Sequence, residues 1–108
     1  MSSRPMMGGI GALKPADETV TTVINLVRET LLEKISGGGR RSELELSTFS
    51  PSAHSYKTQV VAGTNFFVKV QLQEGDFVHV RIYRDLQGNV SLHSVADDKK
   101  EDDEILYF

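Results

Sequence analysis

A chain of 108 residues with 39% apolar and 25% charged side chains has the size and balance of one small globular domain, near the length at which stability depends on close packing of a single core. Its net charge of -3 offers no concentrated basic surface for a phosphate backbone, which argues against a nucleic-acid partner, and no apolar run approaches the length that spans a bilayer. Cysteine is absent, so packing alone must hold the fold and thiol catalysis is excluded.

Residues 1–12 contain Pro5, Met6, Met7, Gly8, Gly9 and Gly11 without periodicity and read as a flexible apolar arm. They lack the continuous apolar stretch of a secretory signal, so the expected address is cytoplasmic, where the Asn89-Val90-Ser91 glycosylation pattern carries no meaning. Over residues 17–35, Val20, Val23, Ile24, Val27, Leu31 and Ile35 recur at three- and four-residue spacing and predict one amphipathic helix. Pro15 and Asp17 suit its first turn and cap, and Gly37-Gly38-Gly39 ends it.

From residue 43 to 108 the period is that of strands. It is weak at Leu44 and Leu46, then clear where Phe66, Val68, Val70 and Leu72 alternate with Phe67, Lys69, Gln71 and Gln73. Beyond Glu74-Gly75-Asp76, Val78, Val80 and Ile82 alternate with His79, Arg81 and Tyr83, giving a hairpin with one buried face. Turns near Gly63 and over residues 85–89, with a last strand over residues 90–95, complete an antiparallel meander. One helix laid across the apolar face of that sheet is the economical arrangement, an α+β domain.

Gln59-Val60-Val61-Ala62-Gly63 falls where one strand must turn back into the next. Hairpin tips ordinarily use Asn, Asp, Gly and Pro, whereas this one sets two β-branched residues and an alanine beside its glycine. On local pattern alone the favoured reading is that Val60 and Val61 are merely the end of a strand that turns at Gly63-Thr64.

Further residues give this tip a context. Gly8-Gly9, Lys14-Pro15-Ala16, the helix end Leu32-Glu33-Lys34, the block from Tyr56 through Gln59-Val60-Val61-Ala62-Gly63-Thr64-Asn65 to Val70, and the terminal Asp103-Glu104-Ile105-Leu106-Tyr107-Phe108 occur in the order found in stefins, the type 1 cystatins, which the chain resembles over most of its length. The resemblance implies a cystatin-like fold, one helix packed across a four- to five-stranded antiparallel sheet. It also implies a reversible, competitive, tight-binding inhibitor of papain-like cysteine proteases: papain and cathepsins of the B, H, L and S kind.

The wedge so implied has three parts: the arm with Met6, Met7, Gly8 and Gly9; the first loop with Gln59, Val60, Val61, Ala62 and Gly63; and the second loop with Leu86, Gln87 and Gly88. No enzymatic activity, cofactor or metal is implied, and the chain is expected as a monomer able to exchange elements into a domain-swapped dimer. The chain departs from the usual stefin by about nine extra residues, an insertion assigned to residues 36–55 that a surface loop absorbs at small closure cost. Its second loop has Leu86-Gln87-Gly88 where stefins typically carry Leu-Pro-Gly. The Ser-rich stretch 47–55 with Pro51 predicts an interrupted or bulged strand before the first loop.

Other chemistries find less support. His54, His79 and His93 have no ligand-type residue at zinc-site spacing, and no Gly-x-Ser-x-Gly elbow is present. The mixed charges over residues 97–104 read as a solvated connection. The rival from another class is a non-inhibitory cystatin-like interaction module.

Overall fold

The computed structural model describes residues 10–36 and 44–108. The expected arm residues Met6, Met7, Gly8 and Gly9 and the triple glycine lie outside the described residues. A two-residue strand β1 (Lys14–Pro15) precedes helices α1 (Glu18–Leu26) and α2 (Arg28–Ser36), and four long strands follow: β2 (Ser52–Val61), β3 (Gly63–Gln73), β4 (Asp76–Arg84) and β5 (Val90–Lys99). The strands form one antiparallel sheet in the order β1-β2-β3-β4-β5.

Asp17 caps α1 as its spacing predicts. Its Oδ1 accepts the Val20 N–H at 3.1 Å, and its Oδ2 accepts the Tyr56 hydroxyl at 2.7 Å, tying the helix start to β2. These bonds, the tyrosine's first, hold the Asp17 carboxyl below its ordinary value, and the same contact pushes the Tyr56 phenol up. Pro15 belongs to β1 rather than to the first helical turn.

The single expected helix is two. At Val27 (φ -108, ψ 13) the N–H bonds back three residues to the Ile24 carbonyl, a tightened turn, before Leu31 N–H resumes the α pattern by bonding the Val27 carbonyl at 2.8 Å. The apolar stripe runs through the break without interruption: Val20, Val23, Ile24, Val27, Leu31 and Ile35 are all buried. Packing against a twisted sheet thus carries the helix pair from β2, which α1 touches, to β5, which α2 touches.

The strand expected to begin near Leu44 and Leu46 is absent. Residues 44–51 form a turn-bearing segment in which Phe49 is buried and Arg28 Nη1 donates to the carbonyls of Leu46 and Phe49. The long strands begin at Ser52, and β2 is bulged between Ala53 and Ser55, inside the stretch where an irregularity is expected. The last strand runs to Lys99, four residues beyond its expected end.

Both faces of the central strands are covered, not one. On the helix side Phe66, Val68, Val70, Val78, Val80 and Ile82 are at most 2% exposed and pack under the helices. On the outer side Phe67 is fully buried beneath residues 105–108. Tyr107 and Phe108 lie 5.6 and 5.8 Å from its ring centroid, and the Arg81 guanidinium rests over Phe67 and Tyr107. Lys57 Nζ donates to the Ile105 carbonyl at 2.8 Å and Lys69 Nζ to that of Glu101, so two lysines of the sheet hold this strap down. Glu101, Asp102 and Glu104 stay exposed, as a solvated connection would be, while the Glu101 carbonyl ties the segment to Lys69.

Candidate functional site

The candidate site lies at one end of the sheet, where the β2–β3 turn and the β4–β5 loop come side by side. In β2–β3 the register closes with Val61 opposite Gly63, leaving Ala62 alone at the tip. Gly63 has φ +109, which an L side chain rarely adopts, and a Cβ there would collide with the Arg84 carbonyl oxygen. Glycine is thus required by the close passage of β4 as well as by the turn.

Arg84 pairs with Thr64, so the chain leaves β4 level with the first tip and enters the loop of residues 85–89 beside it. Asp85 shapes that loop. Its Oδ1 accepts the N–H groups of Asn89 at 2.8 Å and Gln87 at 3.0 Å, and its Oδ2 accepts from the Asn89 amide at 3.2 Å. The Asn89 N–H is the main cause holding the Asp85 carboxyl below its ordinary value. Gly88 takes φ +92 to let the chain return.

The apolar side chains of the two turns face water. Val60 is 74% exposed and Leu86 75%, while Ala62 and Gln87 are also exposed. Isolated exposed apolar residues are ordinary, but two at adjacent tips held by internal hydrogen bonds form a presented edge. Val61 is half-buried. Gln59 points inward: it is 4% exposed and accepts from the Asn65 amide at 2.8 Å. The outermost sequence-predicted residues are therefore Val60, Ala62, Leu86, Gln87 and Gly88, with Gln59 behind them as support.

The third expected part is reached only at its root. Gly11 N–H donates to the Thr58 carbonyl at 2.8 Å, and β1 pairs antiparallel with β2 through Lys14 and Tyr56. Traced backward from Lys14, the chain thus runs along the β2 edge toward Gln59 and the first tip. Met6, Met7, Gly8 and Gly9 themselves lie outside the described residues.

Three residues of this region escape a search for apolar tips. Tyr83 donates its hydroxyl to the Ala62 carbonyl, Asn65 braces Gln59, and Asp85 organises the second loop. Only Asp85 carries a local signal, an aspartate before a Gly-Asn turn. The other two depend on cross-strand neighbours. A groove of about 760 Å³ lies elsewhere, between residues 11–15 and the terminal strap. Among the described residues no cluster of three or more His, Asp or Glu side chains could hold a metal.

A helix pair across five antiparallel strands, with two apolar turns presented at one end, defines a binding scaffold of cystatin-like architecture. A cystatin domain profile matches residues 42–104. The chain is 44% identical over 102 residues to cystatin-A2 of Dictyostelium discoideum, covering 94% of this chain and 97% of that protein. It is 35% identical over 106 residues to cystatin-B of Bos taurus, with 95% and 99% covered, and 33% identical over 104 residues to stefin-1 of Mus musculus, with 94% and 98% covered. The chain belongs to the cystatin family, on its stefin side. That membership supports a role as a cysteine protease inhibitor in general.

Proposed function

We propose that the protein inhibits papain-like cysteine proteases, papain and cathepsins among them, reversibly and competitively, and that it has no catalytic activity of its own. The arm with Met6, Met7, Gly8 and Gly9, the first loop with Val60, Val61, Ala62 and Gly63, and the second loop with Leu86, Gln87 and Gly88 enter the substrate cleft together. Gln59 supports the first loop from behind. The observation that carries the reading is the juxtaposition of exposed Val60 and Leu86 on two turns fixed by internal hydrogen bonds.

Burial of each of these side chains in a cleft gains about 1.5–3 kcal/mol, and turns already held in one shape lose little entropy on docking. A wedge of this kind fills the cleft without offering a peptide bond in the geometry a nucleophile needs, so the inhibitor is not consumed. The protein acts as a monomer in the cytoplasm, and exchange of elements through the first loop gives a dimer that no longer inhibits.

Titration of the purified protein into papain tests the reading. Competitive inhibition and recovery of intact inhibitor are expected, with trypsin unaffected. Uninhibited papain would leave a cystatin-like interaction module in place of the inhibitor.

A further inference from the structure

Tyr83 stands on the outer face of β4, in register with Asn65 of β3 and Ser91 of β5, and Asn65 is in turn opposite Gln59 of β2. This polar row crosses the sheet immediately behind the first tip. Among the described residues, the Tyr83 hydroxyl makes the one side-chain hydrogen bond to the backbone of residues 60–63, donating to the Ala62 carbonyl. The tip is otherwise a turn around a single unpaired residue.

Gly63 makes the contact available. A Cβ at Gly63 would stand 2.9 Å from the Tyr83 hydroxyl and 3.0 Å from its Cε1, so the phenol ring occupies space that only a glycine leaves open. Ring and hydroxyl together pin the tip to β4. Two residues further along the chain, just past the end of β4, is Asp85, whose carboxylate shapes the second loop. One strand end therefore sets both turns.

We propose that Tyr83 is a positioning residue for inhibition, its hydroxyl fixing the first loop through the Ala62 carbonyl in the shape that docks, in step with the second loop. The proposal deepens the protease-inhibitor reading and rests on it. A loop released from this bond samples other shapes, and apparent affinity falls in proportion to the docking-competent fraction.

The test is Tyr83→Phe, which keeps the ring over Gly63 and removes the hydroxyl alone. Amide hydrogen exchange of the free protein, binding kinetics with papain and the thermal midpoint are measured on parent and variant. The loss of one hydrogen bond predicts exchange several-fold faster at residues 61–64 and unchanged elsewhere. Papain affinity falls about three- to tenfold with the thermal midpoint preserved.

Weakened inhibition with unaltered exchange would mean that the hydroxyl touches the protease directly, and would overturn the positioning role. Faster exchange at all amides would overturn it in favour of a purely structural one, and so would a variant identical to the parent in every readout. If the parent itself leaves papain uninhibited, the proposed function fails. The exchange comparison still decides whether Tyr83 holds the loop.

Discussion

The Asn65 side-chain amide donates to Gln59 Oε1 at 2.8 Å, and the two residues are only 5% and 4% exposed. They face each other across β2 and β3, three residues from the exposed tip at Ala62. A buried amide oxygen is expensive to leave unpaired, so the pair is asymmetric under mutation. Asn65→Ala is expected to cost about 1–3 kcal/mol in urea unfolding, because Gln59 remains with no donor. Replacing both residues by leucine should cost less than the two single leucine variants added together, and a double-mutant cycle reads the difference. Strict additivity would show that the pair contributes no coupling.

Much of this arrangement is visible in the chain itself, and the reason is periodicity. The stripe from Val20 to Ile35 and the alternation around Phe66 and Val80 identify the core face of each element because burial on that face is set locally. What escapes depends on partners distant in sequence. The break at Val27 leaves the stripe intact and so has no signature in it. Phe49 looks like part of a polar loop but packs in the core, and Phe67 and Lys69 look solvent-facing but lie under the strap of residues 101–108. At the candidate site, Val60 and Leu86 are legible as misplaced apolar residues. The inward turn of Gln59 and the reach of Tyr83 to Ala62 follow from register, which a strand pattern alone does not fix.

His79 predicts a pH dependence. It lies on the outer face of β4, 1% exposed, with Nε2 unpartnered among the described groups. Burial, then the charges of Lys99 and Lys69, push its pKa down from 6.5 to about 4 against a smaller opposing effect of Asp103. The neutral ring is therefore the folded form. Between pH 6.5 and about 4 the unfolded chain takes up a proton that the folded chain refuses, so stability falls as the solution is acidified. The full gap corresponds to roughly 3 kcal/mol.

Urea unfolding at pH 7 and pH 4.5 should show the parent losing about 2 kcal/mol more on acidification than His79→Leu, which has no proton to gain. Asp17 and Asp85 act in a different window. Their lowered values give stability that is present above the ordinary 3.8 and is lost only as pH falls through the folded-state values. Equal losses in parent and variant would remove His79 as the cause.

The arm is testable apart from the loops. Its root is tied to β2 by the Gly11 N–H, which donates to the Thr58 carbonyl four residues before the first tip at Ala62. Deletion of residues 1–8, and separately Gly8→Arg, should raise the dissociation rate from papain about tenfold, since one buried methionine gains about 1.5–3 kcal/mol and ordering the arm takes back part of it. Thermal midpoints should be almost unchanged. Unaltered dissociation in both variants would leave the wedge to the two loops alone.

Gly63 and Gly75 offer a matched pair for separating backbone conformation from close approach. Both take positive φ, +109 and +75, and both sit in the turns that bound β3. A Cβ at Gly75 meets nothing within 4 Å, whereas at Gly63 it meets the Arg84 carbonyl and the Tyr83 ring and hydroxyl. Gly75→Ala should therefore cost only the conformational strain, about 1 kcal/mol, and leave inhibition of papain intact. Gly63→Ala carries strain and a backbone collision together, so a loss of about 2–4 kcal/mol is expected. The collision can be relieved only by moving the first tip away from β4, which displaces Val60 and Ala62 relative to Leu86, and papain inhibition should weaken well beyond tenfold. Unfolding midpoints and inhibition constants measured on both variants distinguish the cases. If Gly63→Ala behaves like Gly75→Ala in both measurements, the close passage of β4 does not constrain the tip.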